Sequence, residues 1–225
     1  MAHTFTPTSV EALQDLQTFV QRAARVNNGS ARVIISDGLL QVYVGVLVPR
    51  GLLDRTPTVL GLRVTPLANA AECDVVVPLE SLLHRVGVAL ESDSLDVQMP
   101  AQVASMAWAA ITPPRQEWRR RRGVSSPVLA EAARSGIARV AKAVPANAGE
   151  SIVQKVRAEV WGEMLSYSKR IPAGAGFAAD ALGFLIDRNL QVHTTGKWVR
   201  LSSSGGYVLI KFPTGYDFGP DEDDV

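Results

Sequence analysis

The sequence has a single cysteine, Cys73, among 225 residues. One cysteine cannot form an intramolecular disulfide, and alone it cannot supply the thiolate set of a structural zinc site. The histidines His3, His84 and His193 are scattered, and no two of them stand at the spacing of metal ligands. We therefore predict no bound metal and no other cofactor.

Long apolar runs are also missing. No stretch of 18 or more apolar residues occurs, so a membrane-spanning helix is not expected. Residues 1 to 8 lack the basic start and the apolar centre of a secretory signal peptide. These absences predict a cytoplasmic protein without a membrane partner, and they leave the oligomeric state open.

The composition is that of a folded protein with an uneven charge. Apolar residues make up 47% of the chain and charged residues 20%, which excludes wholesale disorder. The net charge is +1, yet residues 113 to 170 carry 12 basic and 5 acidic side chains, and the segments before and after each have a net charge of −3. This asymmetry indicates an anionic partner.

The first part of the chain, residues 1–112, predicts an α+β domain around an antiparallel sheet. Apolar residues at helical spacing predict a helix over about 9 to 26, which Thr8 or Ser9 can cap. The dipeptide Asp37-Gly38 tolerates positive φ and predicts a tight hairpin turn. Further apolar runs predict strands at 32–35, 39–48, 58–65, 74–77 and 95–99, with a short helix at 79–86.

The second part begins with residues 113–126, which resemble a basic Pro/Arg linker because Pro113 and Pro114 disfavour regular structure. Residues 127–213 follow as a helical domain, and residues 214–225 as an acidic, disordered tail. Three helices, at about 126–144, 150–165 and 175–188, precede two strands at 190–201 and 207–212. The predicted class is therefore α+β, with an N-terminal helix plus antiparallel sheet domain and a C-terminal three-helix plus β-hairpin domain that is winged-helix-like.

The run of four arginines beside a tryptophan is the strongest candidate site. Guanidinium groups bind phosphates and carboxylates through paired hydrogen bonds, and a tryptophan can stack on a base. Basic residues near the helices and on the predicted hairpin extend the cluster. The predicted anionic-partner-binding residues are Arg115, Trp118, Arg119, Arg120, Arg121, Arg122, Lys169, Arg170, Lys197 and Arg200.

Two motifs with catalytic associations occur, and neither is complete. Ser166 and Lys169 form S-x-x-K, but the elements that accompany it in serine enzymes are missing. Gly174, Gly176 and Ala179 match G-x-G-x-x-A, but no strand precedes them, so close helix packing explains the glycines better. We therefore predict no catalytic residues and no enzymatic activity.

The charge pattern supports two functions. The first is a non-enzymatic interaction or adaptor protein that engages an acidic protein segment through its basic inter-domain segment. The second is a nucleic-acid-associated protein with sequence-independent phosphate contacts, because the third predicted helix is nearly all apolar or acidic and so is unsuited to reading bases. A solvated linker, whose charges serve only solubility, and occupation of the basic segment by the protein's own acidic tail also stay open.

Overall fold

A computed structural model describes residues 4–26, 29–51, 53–104 and 106–218. The acids at 221–224 of the predicted tail lie outside the described residues, as does His3. The chain divides into two compact units, Met1–Gly45 with Leu62–Thr112, and Val46–Gly61 with Pro113–Val225. Residues 46–61, which the sequence analysis placed in the N-terminal domain, thus belong to the second unit.

The first half of the chain is a mixture of helices and antiparallel strands. Its elements in order are β1 (Thr4–Pro7), α1 (Val10–Val26), β2 (Ser30–Ser36), β3 (Leu39–Leu47), β4 (Thr58–Ala70), β5 (Cys73–Pro78), α2 (Leu79–Glu91) and β6 (Val97–Gln98), followed by a short 3-10 helix at Ala107–Ala110. The strand order is β5-β2-β3-β4, with β1 paired to both β4 and β6. Helices α1 and α2 contact each other and bury one apolar face each.

Local signals in the sequence explain how this half begins. The Ser9 hydroxyl accepts a hydrogen bond from the backbone N–H of Ala12 at 3.2 Å, as a helix N-cap does. At the predicted hairpin turn, Asp37 and Gly38 have φ of 54° and 71°. Ser36 is paired with Leu39 across that turn, so the predicted hairpin is confirmed.

The described residues of the second half form three helices and four strands. They are β7 (Arg119–Ser125), α3 (Ser126–Ala143), α4 (Glu150–Gly162), α5 (Ala173–Ala181), β8 (Asn189–Thr195), β9 (Trp198–Ser203) and β10 (Gly206–Lys211). The strands lie in the order β10-β9-β8-β7, and each neighbouring pair is antiparallel. The mixed helix and antiparallel sheet of the predicted class is therefore confirmed.

Helix α5 is short and almost entirely buried. A Cβ atom at Gly176 would lie 2.8 Å from the carbonyl oxygen of Leu129, so glycine allows α5 to approach α3 closely. A Cβ atom at Gly174 would likewise lie too close to the carbonyl oxygen of Trp161. The two glycines of the G-x-G-x-x-A match thus serve helix packing.

Four expectations for the second half need correction. Residues Arg119–Ser125 form a strand and not an irregular linker. The predicted strand 190–201 is two strands, because Gly196 turns the chain with φ of +51°. Helix α5 ends at Ala181, well before the predicted residue 188. Helix α4 ends at Gly162, before the predicted residue 165.

Candidate anion-binding surface

The arginine run lies on β7, which is the last strand in the strand order. Only β8 is next to it in that order, so β7 is an edge strand. Side chains alternate between the two faces of a strand, so the run divides. Arg119 and Arg121 are paired with Thr194 and Val192, which point to the buried face of the sheet. Arg120 points to the opposite face. We call Arg119–Arg122 the basic edge.

The basic edge ends in a β-bulge. The pairing of β7 with β8 shifts between Arg121 and Val124, so Arg122 and Gly123 lie in the bulge. A Cβ atom at Gly123 would lie 2.9 Å from the carbonyl oxygen of Leu190. Val124, only 5% exposed, then anchors the strand in the core. Glycine at this position therefore permits the strand to place its arginines at the edge.

We expect Gly123→Ala to lower the free energy of unfolding by about 1–3 kcal/mol, because the new methyl group meets backbone that cannot rotate away. Denaturant titration measures this. The adjacent Arg122→Ala, at an exposed position, serves as the control and should change stability by less than about 0.5 kcal/mol. Equal stabilities of the two variants would contradict this account of the bulge.

A cleft of about 820 Å³ lies beside the basic edge, and we call it the C-terminal cleft. Four of the predicted cations line it, and they come from three separate segments of the chain. They are Arg119, Arg121, Arg170 and Lys197. The Arg121 Nε–H donates to the Thr194 hydroxyl at 3.1 Å, which fixes the direction of that guanidinium. Two carboxylates, Glu117 and Asp217, line the same cleft and offset part of its charge.

The chain's own C-terminal segment forms one wall of this cleft. The Phe218 ring lies 4.5 Å from the Arg170 guanidinium carbon and 5.3 Å from Lys197 Nζ, both within cation–π range. The Tyr216 hydroxyl donates to the carbonyl oxygen of Lys169 at 3.0 Å. The rings of Tyr216 and Phe218 also stack around Phe212. Residues 214–218, predicted as the start of a disordered tail, are therefore packed.

A second cleft, of about 780 Å³, runs along the bulge, and we call it the bulge cleft. Arg120, Arg121, Arg122 and Arg170 line it, together with apolar groups such as Tyr167. Burial raises the pKa of Tyr167 to about 12, so its hydroxyl stays protonated and can donate a hydrogen bond at neutral pH. The two clefts share Arg121 and Arg170, and six predicted cations line one or both of them.

The opposite face of the sheet holds the aromatic member of the predicted site. The Arg200 guanidinium carbon lies 4.6 Å from the Trp118 ring centroid. The indole N–H of Trp118 donates to the carbonyl oxygen of Pro114 at 2.9 Å, which fixes the ring. Stacking on Arg200 therefore joins Trp118 to β9 on the face to which Arg120 also points.

The predicted residues are thus distributed over two faces of one sheet edge. Arg115 is exposed, and neither it nor the exposed Lys169 lines either cleft. Within the part of the chain that the structure describes, no carboxylate forms an ion pair with Arg119, Arg120 or Arg122. Two contributors to the C-terminal cleft, Tyr216 and Phe218, were not predicted from the sequence.

Two other features, a metal site and a membrane-spanning helix, are not found among the described residues. No group of three His, Cys, Asp or Glu side chains that could hold a metal ion occurs among the described residues. Of the helices in those residues, none is long and apolar enough to cross a bilayer. The arrangement of the basic surface is suited to binding an extended anion through charge and hydrogen bonds.

Two family models match the chain, one in each half. Residues 1–110 match "Domain of unknown function (DUF8010)", and residues 113–215 match "Domain of unknown function (DUF8185)". Each model covers slightly less than half of the chain. No curated protein matches it.

Solved structures similar to the chain are bacterial sliding clamps. One is the DnaN sliding clamp (DNA polymerase III subunit beta) from Bartonella birtlesii bound to griselimycin, with 13% identity, a TM-score of 0.50, and coverage of 98% of this chain and 67% of that chain. Another is the beta subunit of DNA polymerase III from Thermotoga maritima, with 14% identity, a TM-score of 0.47, and coverage of 97% and 66%. The chain spans about two thirds of the length of these structures. The likeness to the Bartonella clamp shows a sliding-clamp-like fold, which corrects the winged-helix-like expectation.

Proposed function

We propose that this chain is a non-enzymatic interaction protein and that its basic edge and the two adjoining clefts bind the phosphate backbone of a nucleic acid without reading its sequence. The observation that carries the proposal is the convergence of Arg119–Arg122 with Arg170 and Lys197 on one sheet edge. Arginine side chains bind phosphate oxygens through paired hydrogen bonds.

The shape of this surface favours an extended polyanion over a compact ligand. Strand β7 places cations on both faces of the sheet edge, so a bound chain that follows the edge meets charge along its length. The absence of ion pairs at Arg119, Arg120 and Arg122 among the described residues means that these guanidinium groups need not first break a strong internal contact. The sliding-clamp-like fold is also one that a DNA polymerase subunit uses, which agrees with a DNA-associated role.

A second candidate partner is an acidic protein segment. Arg170 and Lys197 in the C-terminal cleft already contact a segment with an aromatic and acidic composition, Tyr216-Asp217-Phe218, which belongs to the chain itself and forms part of the cleft wall. An external segment of the same chemistry would meet the same cations. Adaptor proteins commonly bind such segments, so this candidate is the alternative outcome of the test.

A salt titration with the full chain tests the proposal. We expect a mobility shift with long duplex DNA, single-stranded DNA or RNA at low salt, and an affinity that falls with salt by a log–log slope of about −0.9 for each duplex phosphate neutralised. A poly-glutamate chain of similar length and charge is the control ligand. Absence of binding to all three nucleic acids at low salt would refute the proposal. Equal or tighter binding of poly-glutamate would favour the acidic-protein alternative.

A further inference from the structure

Three neighbouring strands place a row of basic side chains on the sheet face opposite Arg119 and Arg121. Arg120 on β7 is paired with His193 on β8, and His193 is paired with Arg200 on β9. Paired residues on adjacent strands point to the same face, and the strands are about 4.8 Å apart. The three side chains therefore form a continuous row about 10 Å long. His193 stands at its centre.

The charge around His193 is entirely positive. Burial and the charges of Arg200 and Arg120, in that order of importance, lower the pKa of His193 below its ordinary value of 6.5. On the same face Trp118 and Tyr207 contact the Arg200 guanidinium, and Lys211 on β10 adds a further cation over the Trp198 ring. At neutral pH the imidazole is consequently uncharged, and two guanidinium groups flank it.

Several polar atoms of this face have no hydrogen-bond partner among the described residues. They are His193 Nδ1, Arg200 Nε and Ser202 Oγ, and all three are buried. Ser202 lies two residues beyond Arg200 on β9 and so points to the same face. Buried polar groups in proteins are nearly always hydrogen-bonded, so these three atoms leave hydrogen-bonding capacity unused beside the row.

We propose that the row Arg120–His193–Arg200 binds a phosphate group and that His193 takes up one proton when it does so. The inference rests on the proposed function and adds to it a particular phosphate site and a proton linkage. A phosphate between the two guanidinium groups reverses the sign of the local potential at the imidazole. The imidazole then takes up a proton on its unprotonated ring nitrogen, and the imidazolium adds a third positive charge beside the ligand.

The sign of the pH dependence follows from this linkage. Ligand binding raises the pKa of His193, so the complex holds more protons than the free protein at pH values between the free and the bound pKa. Affinity therefore increases as pH falls through that window. A rise of one pKa unit corresponds to a tenfold gain in affinity across the window.

NMR titration of the histidine rings in the full chain tests the proposal directly. Two ligands are used, inorganic phosphate and a short single-stranded oligonucleotide, and His193→Gln identifies the His193 signals. We expect either ligand to raise the pKa of His193 by about one unit. His84, which is exposed on α2, is the internal control, and its ring signals should not move when either ligand is added.

Affinity measurements between pH 7.5 and 5.5 provide the second readout. Wild-type protein should bind the oligonucleotide about tenfold more tightly at the lower pH, and His84→Gln should behave in the same way. His193→Gln should bind with an affinity that changes little with pH. If the oligonucleotide binds but the His193 pKa stays constant, this inference is wrong and the proposed function stands. If phosphate raises the pKa of His193 but no nucleic acid binds, the row is a phosphate site and the proposed function fails.

Discussion

Replacing Arg119, Arg120, Arg121 and Arg122 together by alanine should reduce nucleic-acid affinity at low salt by at least about 100-fold, or about 2.7 kcal/mol. The four guanidinium groups are four of the six predicted cations that line the two clefts. If each contacts one phosphate, the log–log salt slope on duplex DNA should become less negative by up to about 3.6. Fluorescence anisotropy at several salt concentrations measures both quantities.

The matched control removes four other arginines and so makes the same change in net charge. Arg25, Arg85, Arg134 and Arg188 are all exposed and do not line either cleft. Their joint replacement by alanine should leave the salt slope within experimental error of the wild-type value. If both variants lose affinity equally, binding depends on net charge alone and the basic edge is not a defined site. Circular dichroism spectra and thermal melting of both variants verify that the fold is retained.

The largest effect on stability is expected from Gly136→Ala in the middle of α3. A Cβ atom there would lie 2.1 Å from the nearest carbon of the Trp161 ring, and two further ring atoms lie within 3.0 Å. That ring cannot turn away freely, because it is buried and stacks on Phe177 with centroids 4.5 Å apart. The strain exceeds the gain of about 1 kcal/mol in helix propensity, so we expect a net loss of at least about 2 kcal/mol.

The control for this prediction is Gly87→Ala, which makes the same change in the interior of another helix, α2. A Cβ atom at Gly87 would be in ordinary van der Waals contact, 3.8 Å from the Gln17 side-chain nitrogen. We expect this variant to be more stable than wild type by about 0.5–1 kcal/mol. Chemical denaturation measures both changes. A stabilising effect of Gly136→Ala would show that the Trp161 ring does not occupy the position described.

Local signals predicted the first half of the chain better than the second. The Asp37-Gly38 turn and the Ser9 cap act over a few residues, and the structure shows both. Strand β7 has no comparable signal. Its four arginines are accessible to solvent on both faces of the sheet edge. The alternation of apolar and polar residues that marks a half-buried strand is therefore absent until Val124. Only the pairing with β8 makes this segment a strand, and that pairing depends on residues about 70 positions away.

For the candidate site, the composition of the sequence predicted the candidate residues, but the pairing of the strands that brings them together was not predicted. Composition was enough to identify the arginine run and its neighbours. The sequence analysis treated Gly196 as part of one strand, so it missed the turn that sets β8 beside β9. Without that register, His193 appeared isolated from Arg120 and Arg200. The aromatic residues that flank Asp217 were a usable signal for a packed C-terminal segment, because such residues rarely stay in solvent without a partner.

The position of Trp118 provides an optical signal from the surface itself. The other three tryptophans, Trp108, Trp161 and Trp198, are at most 7% exposed, whereas Trp118 is only partly covered and lies against Arg200. A collisional quencher such as iodide will therefore reach the indole of Trp118 in preference to the rest. Emission from the unlabelled protein then reports on occupation of this sheet face, without a dye or a tag near the arginines.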